Sequence, residues 1–149
     1  MEHLEGCESR RACLTRHIDR LTRNQSAADF FIYNADDPII AAQMKTSKTA
    51  AQLRPFSMKQ TIAEGGYATT EQLNININKQ QLTMSIHELA LKGKHNTQNA
   101  LAAGIAARLV EIRTELVRES LEDFVNVEHR MEFVAKVNGI EFINDSKAT

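Results

Sequence analysis

The alternation of apolar and polar positions divides the chain into short elements from residue 29 onward. Phe30-Phe31-Ile32-Tyr33 is a run of aromatic and β-branched residues that ends at Asn34 and the turn-prone Asp36-Asp37-Pro38, which predicts a buried strand followed by a turn. Pro38 suits the first turn of a helix, with Asp36 or Asp37 placed to cap it, and Ile39, Ile40, Gln43 and Met44 continue along it. Ala51 to Phe56 is a weaker second strand, with Pro55 acceptable near an edge or an end. Gly65-Gly66 reads as a flexible turn. Leu73, Ile75 and Ile77 alternate with Asn74, Asn76 and Asn78, and Leu82, Met84 and Ile86 alternate again after Lys79-Gln80-Gln81, so this pair predicts a hairpin with one solvated face. An Ala- and Leu-rich stretch from Asn96 to Leu109, then Ile112, Leu116, Val117, Leu121 and Phe124 at helical spacing, predict two helices joined near Val110. Met131, Phe133, Ala135 and Val137, the turn pair Asn138-Gly139, and Ile140, Phe142 and Ile143 predict a final hairpin. Strands alternating with helices place the chain in the α/β class.

The first 23 residues differ in texture: Arg10, Arg11, Arg16, Arg20 and Arg23 stand among few apolar positions, and residues 1–23 read as an arginine-rich arm. If the arm is helical, Leu14, Ile18 and Leu21 form its apolar stripe. At 149 residues the chain suits one domain plus a stub. Eighteen basic against nineteen acidic residues leave a net charge of -1, so no whole-chain field would hold nucleic acid or an anionic membrane. Cys7 and Cys13 lie in a polar arm without the partners of a zinc site and read as free thiols of a reducing compartment. No window is apolar enough to span a membrane and the N-terminus lacks the apolar stretch of a secretory signal, which makes the cytoplasm the default. The chain stops at Ala148-Thr149 without a closing element, so the natural protein is expected to continue.

Four polar clusters lie beside apolar elements, where an α/β fold presents ligand-binding groups. In Gly93-Lys94-His95-Asn96-Thr97-Gln98-Asn99, a helix starting near His95 puts Asn96 and Asn99 on one face of its first turns. Two carboxamides there suit a purine edge, or else Asn96 or Thr97 caps the helix and Asn99 is simply solvated. Glu128-His129-Arg130 precedes a strand, and Arg130 could fork onto phosphate or form a surface pair with a neighbouring glutamate. Asp145 and Lys147 follow a strand end, where a carboxylate can accept ribose hydroxyls and an ammonium can reach a phosphate, although opposite charges in a turn are common. Asp36-Asp37, the fourth cluster, reads as a helix cap before it reads as a Mg²⁺ site. No Gly-x-x-x-x-Gly-Lys-Ser/Thr, Gly-x-Ser-x-Gly or His-Glu-x-x-His string occurs, so the sequence holds no self-sufficient active site.

Taken in order, Tyr33-Asn34-Ala35-Asp36-Asp37, Gly93 to Ala100, Val127 to Glu132 and Gly139 to Thr149 resemble the Mur ligases, most closely the D-glutamate-adding branch. The resemblance implies part of a three-domain cytoplasmic enzyme of peptidoglycan synthesis. Residues 24–127 would be the second half of its central ATP-binding α/β domain, and residues 128–149 the opening hairpin of a Rossmann-like C-terminal domain. It also implies ATP and Mg²⁺, with UDP-N-acetylmuramoyl-L-alanine and D-glutamate as substrates joined through an acyl phosphate.

Residue by residue, the resemblance carries over Asn96 and Asn99 as adenine-side asparagines, Arg130 as a phosphate contact, Asp145 as the ribose-binding aspartate and Lys147 as the lysine near the nucleotide. His17-Ile18-Asp19-Arg20 resembles a His-x-Asp-Arg string whose histidine ligates Mg²⁺. Alternatively Arg20 to Gln25 matches the end of a later stretch that carries a carbamylated lysine, and His17 then matches by chance. The phosphate-binding loop, the UDP-binding domain and most of the C-terminal domain have no counterpart, and Met1 to Thr15 resembles nothing in the family, so a gene fragment inactive by itself is expected. The competing readings are another Mur ligase or a folylpolyglutamate synthase relative, and a non-catalytic module that binds nucleotide or packs on a partner.

Overall fold

The computed structural model describes residues 9–124 and 132–144, without the side chains of Arg10 and Glu132. Most of the arm is helical. The Ser9 hydroxyl accepts the Ala12 amide at 3.1 Å and opens α1, Arg10–Thr22. Its buried positions are Cys13, Ile18 and Thr22, while Leu21 stays 66% exposed, so the expected Leu14-Ile18-Leu21 stripe is not the one that packs. The Thr22 hydroxyl makes this possible by donating to the Ile18 carbonyl at 2.9 Å, which satisfies its own polar group inside the helix. Cys13 is disulfide-bonded, which corrects the free-thiol reading for that residue; Cys7 lies outside the described residues. Spacing in the sequence carries no information about oxidation state.

α1 lies against α2, Pro38–Thr46, and Gln43 Nε2 donates to Asp19 Oδ1 at 2.9 Å across the pair. α2 begins as its sequence predicts, with Pro38 in the first turn and the Asp37 carboxylate accepting the Ile39 and Ile40 amides at 2.9 and 3.1 Å.

One sheet has the strand order β1-β2-β3-β4-β5. β1, Phe30–Asn34, runs parallel to β2, Gln52–Ser57, and β2 parallel to β3, Gly65–Ala68. β4, Gln72–Ile77, and β5, Gln80–Ser85, continue antiparallel. Pro55 sits in an interior strand, which is tolerated because the ladder from β2 to β3 starts only at Phe56 opposite Gly66. The β4–β5 turn is the residue pair Asn78 and Lys79, both left-handed at φ 53 and 62, as a two-residue hairpin needs. Gln80 and Gln81 therefore belong to the strand and not to the turn.

Gly65-Gly66 is strand rather than flexible turn, and packing explains the glycines. A Cβ on Gly66 would lie 3.0 Å from the tips of both Leu101 and Ile105, and one on Gly65 would lie 2.1 Å from the Pro55 carbonyl oxygen. Leu101 and Ile105 belong to α3, Lys94–Leu109, which presses on β3 and β4. The core is completed by Phe56, Leu73, Ile75, Ile77, Leu82 and Met84 from the sheet and by Val117 from α4, Thr114–Glu122. Gly104 in α3 lets that helix approach Ile75, whose Cδ1 would stand 2.3 Å from an added Cβ. The opposite face of the β4–β5 hairpin is not simply solvated. Asn74 is only 3% exposed, and its carboxamide oxygen accepts the hydroxyl of Thr83, its cross-strand neighbour, at 2.8 Å.

β6, Glu132–Val137, and β7, Ile140–Asn144, form a separate two-stranded sheet with a bulge near Val134 and the predicted Asn138-Gly139 turn. Phe133, Val134, Val137, Ile140, Phe142 and Ile143 are all at least half exposed on it.

Candidate nucleotide site

The carboxyl ends of parallel strands are where α/β sheets present ligands, and β1 and β2 end in Asn34-Ala35-Asp36 and Ser57-Met58. These groups hold one another. Asn34 Oδ1 accepts the Asp36 amide at 2.9 Å, and the Asp36 carboxylate accepts the Ser57 hydroxyl at 2.5 Å and the Met58 amide at 2.7 Å. Ser57, fully buried, accepts in turn from the amides of Lys59 and Gln60 at 2.9 and 3.0 Å. Asp36 thus ties the two strand ends together while Asp37 caps α2, so of the two aspartates only Asp37 acts as the cap. Ser57 was not legible from the chain, because a serine after a strand carries no signal of burial.

The first turn of α3 offers a different kind of site. Gly93, left-handed at φ 99, is its N-cap, and no side chain caps it. That overturns the reading in which Asn96 or Thr97 is the cap: Asn96 donates through Nδ2 to the Lys92 carbonyl at 2.8 Å, and Thr97 donates to the Gly93 carbonyl at 3.2 Å. Both side chains are therefore occupied as donors, while the helix amides at the N-terminus have no side-chain acceptor. Asn99 is exposed one turn further on and Asn96 is half-buried, so the two carboxamides share a face. Lys94, exposed, adds positive charge to the positive end of the helix dipole.

His17 is exposed, and its Nδ1 lies 2.7 Å from the Cys13 carbonyl one turn back. Among the described residues no group of three or more His, Cys, Asp or Glu side chains gathers in metal-binding geometry. His17 therefore belongs to no such group among the described residues. Arg130, Asp145 and Lys147 lie outside the described residues, the latter two just beyond the end of β7 at Asn144. Burial raises the Tyr33 phenol above its usual range, and the Ser26 amide and hydroxyl lower the Asp29 carboxyl. His87 pairs with Glu71 at 3.4 Å on the surface, and no described helix is long and apolar enough to cross a membrane.

Comparison with known proteins adds to this geometry. Residues 1–107 match the Mur ligase middle domain, a span that takes in the arginine-rich arm. A UDP-N-acetylmuramoylalanine--D-glutamate ligase of Christiangramia forsetii is 44% identical over 130 residues, covering 87% of this chain and 29% of that protein. The protein of the same name in Bacteroides thetaiotaomicron is 45% identical over 141 residues, covering 92% and 31%. The chain thus spans about a third of the length of the curated relatives it matches. Among solved structures, MurF from Acinetobacter baumannii superposes with a TM-score of 0.73 at 21% identity over 96% of this chain and 31% of its own, which supports the α/β fold. The matched domain, the identity to ligases and the shared fold agree: the chain belongs to the Mur ligase family.

Proposed function

We propose that this chain is part of a cytoplasmic ATP-dependent ligase that joins D-glutamate to UDP-N-acetylmuramoyl-L-alanine in peptidoglycan synthesis. The observation that carries the reading is the 44–45% identity, over 87–92% of the chain, to proteins named for that reaction. In this reading the Asn96 carboxamide oxygen, its amide being held by the Lys92 carbonyl, and the Asn99 carboxamide meet the adenine edge, on a helix terminus whose amides favour an anion nearby. Arg130 forks onto the phosphates, Asp145 accepts the ribose hydroxyls and Lys147 sits near the transferred phosphoryl group. Residues 24–127 belong to the central domain and 128–149 to the start of the next. The family's Mg²⁺ would screen phosphate charge, but the described residues do not assemble its ligands, and no step here runs through it.

Within this polypeptide the same residues act as a nucleotide-binding module. The sequence contains no Gly-x-x-x-x-Gly-Lys-Ser/Thr string, so nothing in it supplies the backbone cradle for the β- and γ-phosphates. Incubation with UDP-N-acetylmuramoyl-L-alanine, D-glutamate, ATP and Mg²⁺ is expected to release ADP from an intact ligase carrying this sequence and not from residues 1–149. Turnover of alanine, lysine or diaminopimelate in place of D-glutamate by that intact enzyme would refute the substrate assignment, and turnover by the 149-residue polypeptide would refute its inactivity.

A further inference from the structure

We propose that Lys92 is a positioning residue for the Asn96 carboxamide, an inference that rests on the assignment of Asn96 to adenine. Between β5 and α3 the chain makes a short helical turn, Ile86–Glu88, whose ends are capped reciprocally. The Ser85 hydroxyl accepts the His87 amide at 3.2 Å, and the Glu88 carboxylate accepts the Ser85 amide at 3.0 Å. Beyond the turn Leu89 is buried in the core, and the Ala90 amide donates to the Leu121 carbonyl of α4 at 2.9 Å. The Lys92 side chain then folds back over this segment. Its ammonium donates to the carbonyls of His87 and Leu89 at 2.5 and 2.6 Å, at the end of the turn that a cation favours.

This tether decides where one more carbonyl points. Lys92 is followed by Gly93, left-handed at φ 99, and nothing lies within 4 Å of where a Cβ on Gly93 would stand. Neither a side chain nor a packed neighbour at Gly93 therefore restrains the peptide that joins the two residues. That peptide carries the Lys92 carbonyl, which accepts Asn96 Nδ2 at 2.8 Å. A carbonyl can only accept, so this bond turns the amide nitrogen of Asn96 toward Lys92 and leaves its oxygen for a ligand. An oxygen accepts from the exocyclic amine of adenine and repels the carbonyl that replaces that amine in hypoxanthine. Lys92 thus acts at one remove: its ammonium holds the loop, the loop holds the carbonyl, and the carbonyl fixes which end of the Asn96 amide a purine meets. A lysine that merely capped the turn would stabilise the domain without setting that choice.

In the intact ligase, Asn96→Ala should raise the KM for ATP about fivefold and Lys92→Met should approach that loss, with kcat within about twofold of the parent in both. Lys92→Arg keeps a cation with several donors and should recover most of the loss. Lys92→Met should also narrow the preference in kcat/KM for ATP over ITP, whose base is hypoxanthine, by about threefold or more. A released carboxamide can turn its nitrogen to the hypoxanthine carbonyl, whereas loss of a purely structural lysine would weaken both nucleotides alike. In the 149-residue chain without nucleotide, the side-chain amide signals of Asn96 in a proton–nitrogen correlation spectrum should move in Lys92→Met and return in Lys92→Arg. Backbone amide signals of Leu101 and Ile105 should stay in place, which checks the fold. An unchanged KM in Asn96→Ala would refute the adenine assignment and the proposal with it. Asn96 signals unmoved by Lys92→Met, equal losses with ATP and ITP, or a Lys92→Met loss that adds in full to that of Asn96→Ala overturns the positioning role and leaves the adenine assignment standing.

Discussion

Asn99 stands exposed one turn beyond Asn96, and no internal hydrogen bond is needed to explain its place on the helix. If it meets adenine, Asn99→Ala in the intact ligase should raise the KM for ATP about fivefold with little loss of stability, since a net hydrogen bond is worth about 1 kcal/mol. An unchanged KM removes it from the site. Arg130→Ala should cost about ten- to a hundredfold in ATP use and Arg130→Lys should rescue only part, because a point charge cannot reproduce a bidentate fork. A surface pair with Glu128 or Glu132 would instead leave the kinetics intact and cost under about 1 kcal/mol of stability. Tyr33 supplies a pH handle. Its phenol is raised above the ordinary value of 10.0 by burial, so the unfolded chain ionises first and stability should fall as pH rises above about 10. Tyr33→Phe should flatten that alkaline limb in a denaturant titration, and an identical limb in the variant would show that another group causes it. The place of Asn96 and Asn99 in the first turns of a helix was legible in the sequence, because a helix start can be read from Gly93 and the periodic residues after it. The Asp36–Ser57 bond was not, because it joins two strand ends that only the parallel pairing brings together.

At the scale of elements, strands and helices were legible wherever the period was strict. β4, β5 and α3 follow from alternation and from helical spacing, and the Asn138-Gly139 turn from its residue types. β3 was hidden, because Gly65 and Gly66 have no side chain to alternate and their reason is the helix above them. That reason is testable. Gly104→Ala places a methyl 2.3 Å from Ile75 Cδ1 and should destabilise the domain by about 1 to 3 kcal/mol as the core is overpacked. Ile75→Val in the same chain should recover part of the loss. A Gly104→Ala variant at least as stable as the parent, as glycine-to-alanine changes in open helix positions are, would show that α3 does not press on β4 as tightly as described.

On the scale of the whole molecule, the β6–β7 hairpin exposes six large apolar side chains, and β1 forms one edge of the main sheet with Phe30 itself 36% exposed. Such surfaces favour association. Sedimentation of the 149-residue polypeptide should show mass rising with concentration, and a compact monomer throughout would contradict this. The change of strand direction at β3 has another consequence. From β3 to β5 the ladder is built from neighbours in the chain, with α3 pressed most heavily on β3 and β4, whereas β1 and β2 join it only through parallel pairs closed over longer loops. Opening free energies follow such differences in closure and burial. Amide hydrogens of Leu73 to Met84 and of Leu101 to Ile105 should therefore exchange most slowly, and those of Phe31 to Tyr33 should be lost to deuterium well before the domain melts.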